Sequence, residues 1–200
     1  MLHFRQVELL TEFEGKGQHE KALQIYDQLP SELQRDKNVL LIRLRAAQAV
    51  GEAAYAEAVR DLRAVHPDDP CIDLYGITCF LQKKDFAQAL ASINRVEKSL
   101  GDAPYANLLR AYVHQNAGNW PAAQKAAEAA VAAEPTLADA HWILVLVSLQ
   151  EKRHAETLQR LREIERRFAP EFPDFTSIPD YAEFVKSPQY QEWLQLRKSP

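Results

Sequence analysis

In "VLLIRLRAAQAV" (39–50), "YANLLRAYVHQNA" (105–117) and "LADAHWILVLVSLQ" (137–150), apolar residues return every three or four positions. This is the period of a helix with one buried face. No stretch of the chain sustains the apolar–polar alternation of a half-buried strand. Pro30, Pro67, Pro70, Pro104, Pro135 and Pro170 fall between the periodic stretches, where a helix must end or begin. Pro121 lies in the first turn of its helix, where its missing N–H costs nothing. The pattern predicts an all-α chain of helices of about twelve to fifteen residues joined by short turns. One segment looks out of place. "GNWPAAQKAAEAAVAAEP" (118–135) has strong helix formers but almost nothing large to bury.

The segments repeat. "GQHEKALQIYDQL" (17–29), "AAYAEAVRDLRAV" (53–65), "KDFAQALASINRV" (84–96), "GNWPAAQKAAEAA" (118–130) and "KRHAETLQRLREI" (152–164) align without gaps. Each has a ring at its third residue: His19, Tyr55, Phe86, Trp120 and His154. Each has a small residue three further on: Ala22, Ala58, Ala89, Ala123 and Thr157. Then come Tyr26, Leu62, Ile93, Ala127 and Leu161, and finally Leu29, Val65, Val96, Ala130 and Ile164. The rings are spaced 36, 31, 34 and 34 residues apart.

A period near 34 with two helices per unit resembles the tetratricopeptide repeat (TPR). The resemblance implies a right-handed α-α superhelix, a TPR solenoid of antiparallel helix pairs, over residues 1–170. Its repeats would span about 3–36, 39–69, 70–103, 104–137 and 138–170, with 171–200 as a C-terminal capping segment holding two short helices. Neighbouring units in such an array share one continuous core. The ring would wedge into the turn, and the small residue would sit where two helix backbones cross. The Ala-rich fourth unit is then a close-contact helix rather than a loose one. Three features depart from the pattern. Lys84 and Lys152 stand at a turn glycine position, Gly76 lies one residue early within its helix, and the first unit lacks a closing proline.

Composition narrows the function classes. Apolar content of 46% and charged content of 26% are those of a folded domain rather than a disordered chain. A formal charge of −4 gives no sign of the basic stripe a nucleic-acid binder would need, so no nucleic-acid partner is expected. The longest apolar run, "WILVLV" (142–147), is far too short to span a bilayer, so no membrane insertion is expected. His3, Arg5 and Glu8 interrupt any signal core at the N-terminus, which makes the cytoplasm the expected compartment. Cys71 and Cys79 share one predicted helix and read as reduced thiols.

No catalytic constellation is visible. The histidines are scattered, with none paired to another His or Cys at ligand spacing, so no metal site is expected. "HPDDPC" (66–71) reads as turn and cap chemistry. Neither a Gly-rich phosphate loop nor a Gly-x-Ser-x-Gly elbow is present, and no cofactor is implied. In "KRHAETLQRLREIERRF" (152–168), Glu156, Glu163 and Glu165 interleave with the bases, as on a solvated face with ion pairs at three and four.

The family resemblance implies that the first helix of each repeat lines a concave surface that takes extended peptides or helices. The inward positions would be Phe4, Val7 and Thr11, then Leu40, Arg43, Leu44 and Ala47. Cys71, Leu74, Tyr75 and Thr78 follow, then Tyr105, Leu108, Leu109, Tyr112 and Asn116, then Asp139, Trp142, Ile143 and Leu146. TPR modules that hold a C-terminal carboxylate use a Lys/Asn/Arg clamp here. This chain offers only Arg43 and Asn116, so that activity does not carry over. The expected function is a non-catalytic scaffold or adaptor binding a peptide or helix of a partner protein. A self-assembly module forming a homo-oligomer is the alternative, as is a secretion-type TPR chaperone. Residues 171–200 hold Phe172, Phe175, Tyr181, Phe184, Tyr190 and Trp193, and would either cap the last repeat or fold back into the groove. Asp180 would cap one short helix through Phe184, and Ser187-Pro188 would open another through Leu196.

Overall fold

The computed structural model describes residues 2–101 and 104–198, all of it helix and turn. The described helices gather into two units, Met1–Ser99 and Leu100–Pro200. The first holds α1 (Leu2–Gly15), α2 (His19–Asp27), α3 (Ser31–Gln34), α4 (Lys37–Val50), α5 (Glu52–Val65), α6 (Pro70–Gln82) and α7 (Phe86–Leu100), which runs to the division. The second holds α8 (Pro104–Asn116), α9 (Trp120–Ala133), α10 (Ala138–Gln150), α11 (His154–Phe168) and α12 (Pro188–Lys198). Three 3-10 turns, Phe175–Ser177, Pro179–Tyr181 and Phe184–Lys186, lie between α11 and α12.

The same packing recurs in both units. In the first, α1 packs on α2 and α4, α2 on α4, α4 on α5, and α5 on α6. In the second, α8 packs on α9 and α10, α9 on α10, and α10 on α11. Connections this short make consecutive helices antiparallel neighbours. The small residues of the repeat are its tightest points: Ala22, Ala58, Ala89, Ala123 and Thr157 are all buried. So are Leu62, Ile93, Ala127 and Leu161 one turn on. In α9, Ala123, Ala127 and Ala130 join Leu108, Ala111, Ile143, Leu144 and Val147 in one core cluster. The alanine helix is therefore the close-contact element of its unit, its side chains small enough for α8 and α10 to pack against its backbone.

Four of the five rings, His19, Phe86, Trp120 and His154, are the first residues of their helices. The turn before each has one geometry. The amides of Gln18, Asp85, Asn119 and Arg153 donate to carbonyls five residues back at 2.8–2.9 Å. The residues before them, Gly17, Lys84, Gly118 and Lys152, have φ of 71°, 56°, 70° and 55°. This is the Schellman arrangement, which favours glycine because a Cβ crowds the left-handed region. Lys84 and Lys152 thus hold a glycine conformation without being glycine. Tyr55 is the exception among the rings. A single residue, Gly51, separates α4 from α5, which begins three residues before the ring.

Two departures from the regular pattern have local causes. The first connection carries α3, a single helical turn. Gln34 Nε2 donates to the Tyr26 carbonyl and the Tyr26 hydroxyl donates to the Gln34 carbonyl, both at 3.1 Å. From the ring to the start of the next first helix the chain runs 18 residues (His19 to Lys37), as from Phe86 to Pro104 and from Trp120 to Ala138, so the long first spacing arises at the α4–α5 turn, where Tyr55 lies three residues inside its helix. Gly76 makes room for a side chain. A Cβ there would come within 3.1 Å of Arg63 Nη2, which donates to Asp73 Oδ1 at 3.0 Å. Asp73 also receives Arg95, so one carboxylate ties α5, α6 and α7.

The segment after α11 differs from the expected pair of helices. Asp180 caps no helix; it lies inside the turn Pro179–Tyr181, while Asp174 caps the preceding turn by accepting from Thr176 N at 2.9 Å. The reason is burial. Tyr181 closes one 3-10 turn and Phe184 opens the next, and both are buried. The second expectation matches the structure better. Ser187 Oγ accepts from Tyr190 N at 3.3 Å and Pro188 opens α12. Phe175, Tyr181, Phe184, Tyr190 and Trp193 form a cluster with Val145 and Leu149 of α10 and Leu158, Leu161 and Ile164 of α11. Phe175 and Tyr181 stack at 4.3 Å between centroids, and Tyr190 and Trp193 at 5.8 Å.

Candidate partner-binding surface

The first helices place the expected inward residues in two groups. Leu40, Leu44, Ala47, Leu108 and Ile143 are buried and hold helices together, so they line no open surface. The reason lies in the helical period: beside each surface position on these helices stands one that faces the neighbouring pair. Leu74, Thr78 and Cys71 of α6 are exposed, and Tyr75 is half-buried against the first core. The Tyr55 hydroxyl donates to the Tyr75 carbonyl at 3.3 Å, and burial pushes the Tyr55 pKa up to about 12. On α1, Val7 is half-buried and Thr11 is exposed, its hydroxyl donating to the Val7 carbonyl. The side chain of Phe4 lies outside the described residues.

Arg43 is not a surface group. Its guanidinium carbon lies 4.6 Å from the centroid of the Tyr26 ring, and Nη1 is 2.7 Å from Asp61 Oδ2. Glu57 stands 3.8 Å from its other nitrogen. Burial raises the Tyr26 pKa, with the Arg43 charge opposing. Neither remnant of a carboxylate clamp is free in this chain: Arg43 is spoken for, and the Asn116 amide donates to the Tyr112 carbonyl at 2.8 Å.

The second unit presents the richer face. Tyr105, Leu109, Tyr112 and Asn116 recur every three or four residues along α8, and Tyr105 is 62% exposed. Leu109 and Tyr112 are half-buried. On α10 the matching positions are Asp139, Trp142, Leu146 and Gln150, of which Asp139 and Gln150 are exposed. The Tyr112 pKa is raised first by burial and then by the Asp139 charge. Trp142 is only partly accessible because Phe172 packs edge-on against it with centroids 6.0 Å apart. Leu146 likewise packs on the aromatic cluster of the C-terminal segment. Nothing in the local sequence of α10 signals this covering; it comes from a segment 30 residues further on.

Other chemistry-bearing groups have structural partners. The carboxylate of Asp69 accepts from Cys71 N at the start of α6 and pairs with Lys37, which holds its pKa down. Cys71 is a free thiol at the surface, and Cys79 is buried, which raises its pKa. On α11, Arg160 pairs with Glu156, and Arg166 and Arg167 pair with Glu163. Among the described residues no three His, Cys, Asp or Glu converge as a metal would require. An open depression of about 770 Å³ lies between α5 and α6, lined by Ala56, Val59, Arg60, Gly76, Phe80 and Lys83. No helix among the described residues is long and apolar enough to cross a membrane.

No protein-family model matches the chain, and no curated protein matches it in sequence. Solved structures do. The chain is similar over its whole length, and over 94% of the other, to PilW, a widely conserved type IV pilus biogenesis factor, with 14% identity and a TM-score of 0.73. It is similar over 96% of its length to a tetratricopeptide repeat protein from Parabacteroides merdae ATCC 43184, covering 75% of that chain, with 13% identity and a TM-score of 0.73. A third likeness is to a chain of the APC/C hetero-tetramer Cut9-Hcn1. It covers 90% of this chain and 35% of the other, with 15% identity and a TM-score of 0.63.

Proposed function

We propose that this chain, which has the all-α tetratricopeptide-repeat fold, is a non-catalytic interaction module that holds a peptide or helix of a partner protein against its first helices. One observation carries the reading. Of the large apolar side chains exposed among the described residues, Val50, Leu74, Tyr105 and Leu196, two, Leu74 and Tyr105, stand on first helices at positions the repeat assigns to the binding face. Half-buried Tyr75, Leu109 and Tyr112 flank them in sequence. Aromatic groups anchored in part and accessible in part are the usual anchors of interfaces, because they bury large area at small entropic cost. The hetero-tetramer Cut9-Hcn1 is a case in which a similarly folded chain works inside an assembly.

The test begins with selection of binding peptides from a randomised display library on the immobilised chain. Tyr105→Ala and Tyr112→Ala should each weaken the selected peptides at least about tenfold, since truncating a central anchor commonly costs about 2 kcal/mol. Tyr105 is the cleaner probe, being exposed and outside the core clusters. Trp142→Ala would also disturb Phe172 and therefore the C-terminal segment. Selected peptides that bind both tyrosine variants as tightly as the parent chain would remove this face from the function.

A further inference from the structure

We propose that Phe172 holds, in the free chain, the place on Trp142 that an aromatic side chain of the partner takes, so that the C-terminal segment competes with the partner for the first-helix face of the second unit. This rests on the reading above; it names the chemistry of the partner and a built-in control on its access.

Trp142 stands on α10 at a position the repeat assigns to the binding face, and the Phe172 ring meets it edge-on, with centroids 6.0 Å apart and planes at 72°. The other rings of the segment serve a different purpose. Phe175, Tyr181, Phe184, Tyr190 and Trp193 are all buried in the cluster with α10 and α11. Phe172 is only half-buried, at the margin of that cluster. It rests edge-on against Trp193 at 5.2 Å and Phe175 at 5.8 Å, with the Arg197 guanidinium 5.0 Å from its ring. The segment is therefore anchored from Phe175 onward, and Phe172 can leave Trp142 without uprooting it.

What holds Phe172 is side-chain contact alone. Residues 169–174 are neither helix nor turn. Among the described residues the amides of Glu171 and Phe172 donate to no carbonyl, and Pro170 and Pro173 have no N–H to give. The latch over the ring is open to solvent: Arg197 pairs with Glu165 at 2.9 Å, and each of these side chains is 38% exposed. An ion pair and a cation–π contact at such exposure contribute little. Trp193, on which the ring rests, has its Nε1 buried with no hydrogen-bond partner among the described residues, a cost to the docked state. A segment held this way opens locally more cheaply than the helices around it. A partner's aromatic ring in the vacated place regains the edge contacts with Trp142 and Trp193 that Phe172 gives up, whereas an aliphatic or charged side chain does not. The partner's apparent affinity is then its intrinsic affinity reduced by the fraction of chains in which Phe172 is out.

The experiment takes peptides selected by display on the full parent chain and on Phe172→Ala, and titrates them calorimetrically into both. The peptides should carry an aromatic residue and bind Phe172→Ala about three- to tenfold tighter than the parent, the scale of one aromatic pair. Replacing that residue of the peptide by alanine should remove the difference between the two chains. A purely structural role for Phe172 would not make its loss improve binding. The parent chain gives a second readout that needs no variant. The nuclear Overhauser contact between the Phe172 ring and the Trp142 indole, present in the free chain, should vanish at saturating peptide. Should Phe172→Ala melt well below the parent, this second readout decides alone. Equal or weaker binding by a well-folded Phe172→Ala, or a ring contact that survives saturation, overturns the proposal. If Tyr105→Ala still weakens the peptides in that case, the binding face stands and only the competition falls. If the peptides are indifferent to Tyr105→Ala as well, or neither chain selects any, both fall.

Discussion

Lys84 and Lys152 sit where two helices of a pair turn back, with φ of 56° and 55°, and the equivalent residues in two other turns are Gly17 and Gly118. A Cβ in the left-handed region is crowded by its own backbone, at about 1–2 kcal/mol. Glycine removes that cost but returns part of it as entropy in the unfolded chain. Lys84→Gly and Lys152→Gly should therefore each raise stability by about 0.5–1 kcal/mol, read as a shift in the urea midpoint. A fall in midpoint for both would mean the lysine side chains make contacts that outweigh the strain. The same scale shows where sequence reading works. The alanine and threonine at the crossing position are legible because size is what the position selects. The lysines are legible only as departures from the glycine, and their backbone conformation follows from the hydrogen bonds of the turn.

Among elements, the C-terminal segment is the one least written in local pattern. Its helix α12 is announced by Ser187 and Pro188, but residues 175–186 form single 3-10 turns that no period in the sequence marks. Their order comes from tertiary burial: Phe175, Phe184 and Trp193 are each 2% exposed or less, against α10 and α11. Short helices do not persist in water without such packing. Deleting residues 171–200 should lower the melting temperature and create a dye-binding apolar surface from Val145, Leu149, Leu158, Leu161 and Ile164. An unchanged melting temperature with no new dye binding would contradict this packing. The first helices show the complementary difficulty. Leu40, Leu44, Leu108 and Ile143 share the apolar character of Leu74 and Leu109, so the repeat alone does not separate core from surface on α4, α6, α8 and α10. Burial by the neighbouring pair decides it.

For the molecule as a whole, the period of rings and small residues made the repeat fold legible, while the functional face was legible only as a set of positions. Six positions of that set, Leu40, Arg43, Leu44, Ala47, Leu108 and Ile143, are buried, and Phe172 packs on Trp142. What remains accessible on the second unit is Tyr105, Leu109, Tyr112, Asn116 and Asp139, with part of Trp142. The most direct measurement is backbone hydrogen exchange of the full chain with and without a display-selected peptide, resolved to single helices. Binding on the first-helix face predicts added protection in α8 (Pro104–Asn116) and α10 (Ala138–Gln150), with α9 (Trp120–Ala133) and α11 (His154–Phe168) unchanged. Protection confined to α9 and α11, with α8 and α10 exchanging as in the free chain, would contradict it.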